Sequence, residues 1–151
     1  MSVLAFDPFV DAAPPGVGLM DLDELLVRSD VISIHCPLTP ETRGLIGERE
    51  LGLMRSEAIL VNTARAAVVD ETALLAALRS YAIAGAALDV FWEEPLAPDH
   101  PILALDNVTI TPHVAGAADD VMRHHARMIL DDIVRWQAGE PLRYAVVPPQ
   151  G

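Results

Sequence analysis

The chain has 151 residues, of which 52% are hydrophobic, and a mean hydropathy of +0.32, enough for one domain with a proper core and too apolar for disorder. Its net charge is −12 and its ten Lys and Arg residues are scattered, which excludes a protein that follows a nucleic-acid backbone; the acidity serves solubility. No apolar run approaches the roughly 18 residues of a membrane span, and the start at Met1 reaches an acid at Asp7 without the basic region of a signal peptide.

Along the chain, Val3–Phe6 has strand character, and Pro14, Pro15 and Gly16 mark a loop. Leu22, Leu25 and Leu26 lie on one face of a short helix. Val31–Ile34 is a second strand, Leu45 to Met54 a second helix, and Ala58–Val61 a third strand. Asp70 can N-cap a helix that turns Leu74, Leu75 and Leu78 inward. Ile83–Val90 is a fourth strand, Pro95 to Pro101 a loop, and Val108–Ile110 a fifth strand. Ala118, Val121, Met122, Ala126, Ile129, Ile133 and Trp136 recur at helical spacing; Asp119 and Asp120 suit the first turn, and Gly139 is a stop. The tail beyond it, with Pro148 and Pro149, is expected to be extended or loose. The strands do not alternate cleanly, which suggests burial on both faces as in a parallel sheet. Strand alternating with helix predicts an α/β doubly wound domain.

In such a sheet, ligands bind beyond the carboxyl ends of the strands, so the residue after each strand carries the interest. Asp7 follows the first strand; it suits ribose hydroxyls and repels a 2′-phosphate, although taken alone it reads better as an Asp-Pro turn. Cys36 and Pro37 follow the second, where Pro ends the strand and exposes an apolar wall. Cys36 is the only cysteine, so no internal disulfide or Cys-based metal cluster can form, and no metal site is expected. This fits a reducing, cytoplasmic compartment. Cys36 itself reads better as a small buried strand-end residue than as a nucleophile.

After the third strand come Thr63, Ala64 and Arg65; an Arg there can grip a carboxylate with two hydrogen bonds, although most arginines are surface residues. Asp89 closes the fourth apolar run and needs donors if buried; Glu93 and Glu94 follow it. His113 follows the fifth strand, where it can exchange protons near neutral pH, especially beside a carboxylate. Each feature has an ordinary structural explanation. Together they place an Arg, a Glu and a His on one edge of one sheet. That set suits hydride transfer to a 2-oxo acid, with Arg65 on the carboxylate and carbonyl, His113 giving the proton and Glu94 tuning His113. His100, His124 and His125 receive no role.

The stretches HCPLTPETRGLI (His35–Ile46), LVNTAR (Leu60–Arg65), VDETALLAAL (Val69–Leu78), GAALDVF (Gly85–Phe91) followed by Glu94-Pro95, and NVTITPH (Asn107–His113) closely resemble the D-isomer-specific 2-hydroxyacid dehydrogenases, from about Val3 to about Val147. These include phosphoglycerate dehydrogenase and glyoxylate/hydroxypyruvate reductase. The resemblance implies that Arg65, Glu94 and His113 are catalytic. It implies an NAD site formed by Asp7, Cys36, Pro37, Thr63, Ala64, Asp89, His113 and Gly116. One departure is Ala66, where the family usually has Gly; if that position needs a positive φ, Ala would strain it.

The larger departure lies upstream. Family chains begin with much of a substrate domain and then the first strand and glycine-rich turn of the cofactor domain, whereas this sequence starts at what matches the second strand. The expected fold is therefore an incomplete Rossmann-like doubly wound parallel sheet lacking the first strand and glycine-rich turn. Residues 1–138 would form the partial NAD-binding domain, and 139–151 a tail returning to the substrate domain. The strands at Val3–Phe6 and Val31–Ile34 would each lack a neighbour. The implied activity is NAD-dependent hydride transfer between a 2-hydroxy and a 2-oxo acid. The alternative is a non-catalytic dinucleotide-sensing or protein-interaction fragment. The implied partners are a small 2-hydroxy or 2-oxo acid and either a second copy or a chain supplying the remaining parts; nucleic acid and membranes are not expected.

Overall fold

The structure is a computed structural model, and it describes residues 1–145. Two compact units divide at His113: Met1–His113, and the segment from Val114 onward.

The first unit holds all six strands found among the described residues. They are β1 (Val3–Ala5), β2 (Val17–Leu19), β3 (Val31–Ile34), β4 (Ile59–Asn62), β5 (Gly85–Leu88) and β6 (Val108–Ile110). All pairings are parallel, but they form two sheets: a pair, β1-β2, and a four-stranded sheet in the order β3-β4-β5-β6. The parallel α/β expectation holds. β1 and β3 each have a strand neighbour on one side only.

Three helices fill the connections: α1 (Leu22–Arg28), α2 (Glu48–Leu53) and α3 (Glu71–Arg79). The Asp70 side chain accepts the Ala73 N–H at 2.8 Å, so α3 starts where the Asp allowed it to. Leu74, Leu78 and Leu26 are fully buried with Leu60, Val68, Ile83 and Ile102 in one apolar core. Placing that much aliphatic surface out of water is the main force holding the layers together.

Several expectations need correction. No strand was expected at Val17–Leu19; a three-residue Val-Gly-Leu strand is too short to show a period and is held by its register against β1. The second helix is shorter than Leu45 to Met54, because Ile46 is drawn into a parallel bridge with Val69 and the helix begins after Gly47. Burial on both faces describes β5, where Gly85, Ala86 and Leu88 are buried, but not β3, which buries Ile32 and Ile34 and exposes Val31 and Ser33.

The second unit contains α4 (Asp119–Gln137), with Asp119 and Asp120 in its first turn and Gly139 just beyond its end at φ 72°. No residue of α4 is buried. The segment after Gly139 is less loose than its composition suggests: the Asp132 carboxylate accepts the Arg143 and Tyr144 N–H groups at 2.7 and 3.1 Å. Pro148 and Pro149 lie outside the described residues. No described helix is long and apolar enough to cross a membrane.

Candidate functional site

The carboxyl ends of β4, β5 and β6 lead into Arg65, Asp89, Glu94 and His113, the side chains singled out from the sequence. Hydrogen bonds knit these ends together. The Asp89 N–H donates to the Asn62 carbonyl, and the Thr111 N–H to the Leu88 carbonyl, both at 3.0 Å. The Thr111 hydroxyl donates to the Asp89 carboxylate at 2.5 Å. Asp89 is 2% exposed, so the acid at the end of the apolar run is indeed buried and has the donor it requires.

Beyond β5 the chain turns so that Glu94 meets His113. Glu94 Oε1 accepts the Phe91 N–H at 3.0 Å, and Glu94 Oε2 lies 2.8 Å from His113 Nδ1. An ionised carboxylate only accepts, so Nδ1 carries the hydrogen and Nε2 is left as the ring's other proton-exchanging atom. The His113 contact, followed by the Phe91 N–H, holds the Glu94 carboxyl below the usual range. His113 itself stands at φ 54°, a left-handed conformation that costs about 1–2 kcal/mol in a residue with a Cβ. Its N–H donates to the Thr111 carbonyl at 3.0 Å, which helps hold that turn. The same segment is anchored from Trp92, whose indole N–H donates to the Val69 carbonyl at 2.9 Å.

Arg65 follows β4 in extended backbone, φ −143° and ψ 132°. Its side chain is exposed, donates to the Ala64 carbonyl at 2.7 Å, and takes part in no ion pair among the described residues. Its charge is therefore available to an anion. Ala66 begins a short 3-10 turn, Ala66–Val68, and is not among the positive-φ residues, so the condition under which Ala would be strained there is not met.

Asn62 went unassigned in the sequence reading. It is 1% exposed; its Oδ1 accepts the Ala64 N–H at 3.0 Å and its Nδ2 donates to the Arg65 carbonyl at 3.1 Å. The signal for it was a polar residue closing an apolar strand.

A cavity of 430 Å³ is lined by His35, Cys36, Pro37, Leu38, Ala64 and Arg65. It brings together four residues singled out from the sequence: Cys36, Pro37, Ala64 and Arg65. Cys36 is half-buried, and burial pushes its thiol up, away from a reactive thiolate. Thr63 is exposed beside this cavity's Ala64. Asp7 is exposed after β1, and its Oδ1 accepts the Phe9 N–H at 2.9 Å, the Asp-Pro turn anticipated for it, with a second oxygen remaining. Gly116 belongs to the second unit and is exposed. His100, left without a role, pairs with Glu71 at 2.7 Å and accepts the Ile102 N–H, a structural tie between α3 and the following loop. No cluster of three metal-ligating side chains occurs among the described residues.

Parallel strands joined by helices, with acid, base and cation at their carboxyl ends, define a Rossmann-like dinucleotide-binding domain. Residues 1–115 match the NAD-binding domain of the D-isomer specific 2-hydroxyacid dehydrogenases, and the chain belongs to that family. It is 47% identical over 99% of its length to a D-3-phosphoglycerate dehydrogenase from Archaeoglobus fulgidus, of which it spans 29%. It is 50% identical over 89% of its length to a glyoxylate reductase from Aeropyrum pernix, of which it spans 38%. Among solved structures, it is similar to a D-isomer specific 2-hydroxyacid dehydrogenase from Xanthobacter autotrophicus in complex with NADPH and MES. The TM-score there is 0.86 and the identity 42%, over 97% of this chain and 61% of that one. The chain thus spans well under half the length of these curated relatives.

Proposed function

We propose that this chain supplies the catalytic portion and part of the cofactor-facing portion of a nicotinamide-dependent dehydrogenase acting on a small 2-hydroxy or 2-oxo acid. The observation that carries the reading is the His113 Nδ1–Glu94 Oε2 pair at 2.8 Å, on the same sheet edge as Arg65. The residues present fit a dinucleotide: the cavity beside Arg65 joins an apolar wall at Pro37 and Leu38 to polar groups, and Asp7 retains a carboxylate oxygen for ribose hydroxyls. Cys36, Pro37, Thr63, Ala64 and Asp89 would complete the cofactor contacts. When bound, the nicotinamide supplies the hydride.

The chain's own residues do the rest. Arg65 binds the substrate carboxylate, which a planar guanidinium can grip with two parallel hydrogen bonds. His113 Nε2 gives a proton to the substrate oxygen in reduction and takes it back in oxidation. Glu94 accepts the Nδ1–H and so fixes the tautomer that leaves Nε2 to exchange the proton. Asp7 favours NAD over NADP by repelling a 2′-phosphate. Calorimetric titration with NADH tests the reading. Binding tighter than about 1 mM, or roughly −4 kcal/mol, followed by NADH oxidation with glyoxylate, hydroxypyruvate or related acids, is expected; a folded chain that binds no NADH refutes it.

A further inference from the structure

We propose that Asn62 is the positioning residue for Arg65, its buried carboxamide holding the loop backbone so that the guanidinium stands at the sheet edge. The inference rests on the role given to Arg65 above. Asn62 occupies the last position of β4, where Ile59, Leu60 and Val61 precede it. Only Asn62 and Asp89 are buried polar residues among those described. A buried amide is destabilising unless its groups are bonded, and packing alone would be served by another aliphatic residue.

Both side-chain partners of Asn62 are main-chain groups of the Arg65 loop: the Ala64 N–H on Oδ1 and the Arg65 carbonyl on Nδ2. An N–H can only donate and a carbonyl can only accept, so the two contacts fix the orientation of the carboxamide. They also bracket the Arg65 Cα from both sides, in the peptide unit before Ala64 and the one after Arg65. A Leu or Val here would leave the Ala64 N–H without this acceptor. The Asn62 carbonyl, in turn, accepts the Asp89 N–H. One residue therefore ties the Arg65 loop to the strand end that leads on to Glu94. A displacement of about 1 Å at a substrate-gripping group can lower rate or affinity about a hundredfold, which gives the tie its functional weight.

The test is Asn62→Asp in the full chain, read by amide ¹⁵N relaxation of residues 63–66 and by titration with oxamate, a stable analogue of a 2-oxo acid, in the presence of NADH. Asp keeps the acceptor for the Ala64 N–H but turns a second acceptor onto the Arg65 carbonyl. At about pH 8 the two oxygens repel; the loop is expected to lose order and oxamate binding to weaken about tenfold or more. A buried carboxyl facing a carbonyl titrates upward, so towards about pH 5 its O–H is restored as a donor and loop order returns. A residue that only filled space would give no such pH profile. Wild-type loop order in N62D at high pH, or a loss that acid does not reverse, overturns the proposal. If the buried charge prevents folding, Asn62→Ser, neutral and too short to reach the Arg65 carbonyl, is read in its place: a disordered loop supports the proposal and an ordered one overturns it. If wild type binds no NADH, the dehydrogenase reading fails, while the loop measurement still judges the link between Asn62 and Arg65.

Discussion

Replacing Gly85 by Ala tests how tightly the site-bearing strands are set. Gly85 opens β5, and a Cβ built there would lie 2.4 Å from the Asn107 carbonyl oxygen, against 3.4 Å or more for ordinary contact. The Asn107 carbonyl would have to retreat by about the difference, 1 Å. That same oxygen accepts the Ala86 N–H at 3.1 Å, and the Asn107 side chain donates to the Leu78 carbonyl at 3.1 Å, so retreat breaks the β5–β6 link and pulls on α3. Overpacking costs about 1–3 kcal/mol and a lost backbone hydrogen bond about 0.5–1.5 kcal/mol, for a loss of about 2–4 kcal/mol. With a urea dependence of about 2 kcal/mol per M, the unfolding midpoint should fall by about 1–2 M at unchanged slope. Gly52→Ala is the control. Gly52 lies in α2 with open space around it and no positive φ, so its replacement should stabilise by about 0.5–1 kcal/mol. Equal midpoints for the two variants would refute the reasoning.

Further outcomes follow from other positions. Asp70→Ala removes the side chain that caps α3 and should lower stability by about 1 kcal/mol in the same urea assay. Ala66→Gly, which installs the residue usual in the family, should destabilise by about 0.5–1 kcal/mol or more, because Ala66 is buried and not in the left-handed region; a gain in melting temperature would show that the position is strained after all. Glu94 has its folded carboxyl below the usual value of about 4.3, so its contribution is present above that value and is lost as pH falls through the folded pKa. Melting temperatures of wild type and Glu94→Gln should therefore differ at neutral pH and converge in acid, and a constant gap down to about pH 3 would contradict the assignment. Where NADH-dependent reduction is measurable, His113→Asn should slow it by about 10²–10⁴-fold, with a smaller effect on NADH affinity seen by calorimetry.

Much of the fold was legible along the chain because the relevant signals are local. The apolar strand at Val31–Ile34, the capping Asp70 and the Gly139 stop each declare themselves within a few residues. The order of Arg65, Glu94 and His113 after successive strands was legible for a different reason: a doubly wound sheet presents every strand's carboxyl end on one edge, so position along the chain converts into position at a site. The matched stretches added the family.

Tertiary structure decided the remainder. β2 exists only because Val3–Ala5 pairs with it, since three residues carry no period of their own. The second helix starts late because Ile46 is taken by a bridge to Val69, a partner 23 residues away. Glu93 and Glu94 are ambiguous as two adjacent acids, and the matched stretches singled out Glu94; the contact itself depends on the turn that brings Glu94 Oε1 onto the Phe91 N–H and Oε2 to His113. The ring of His113 is likewise held by Glu94, 19 residues away, whereas the Asn62 carboxamide is held locally, by groups two and three residues on. Local propensity specifies which segments become strands and helices, whereas the geometry of the site comes from hydrogen bonds within its loops and from the long-range contacts, Thr111 to Asp89 and His113 to Glu94, that form once the strands are packed.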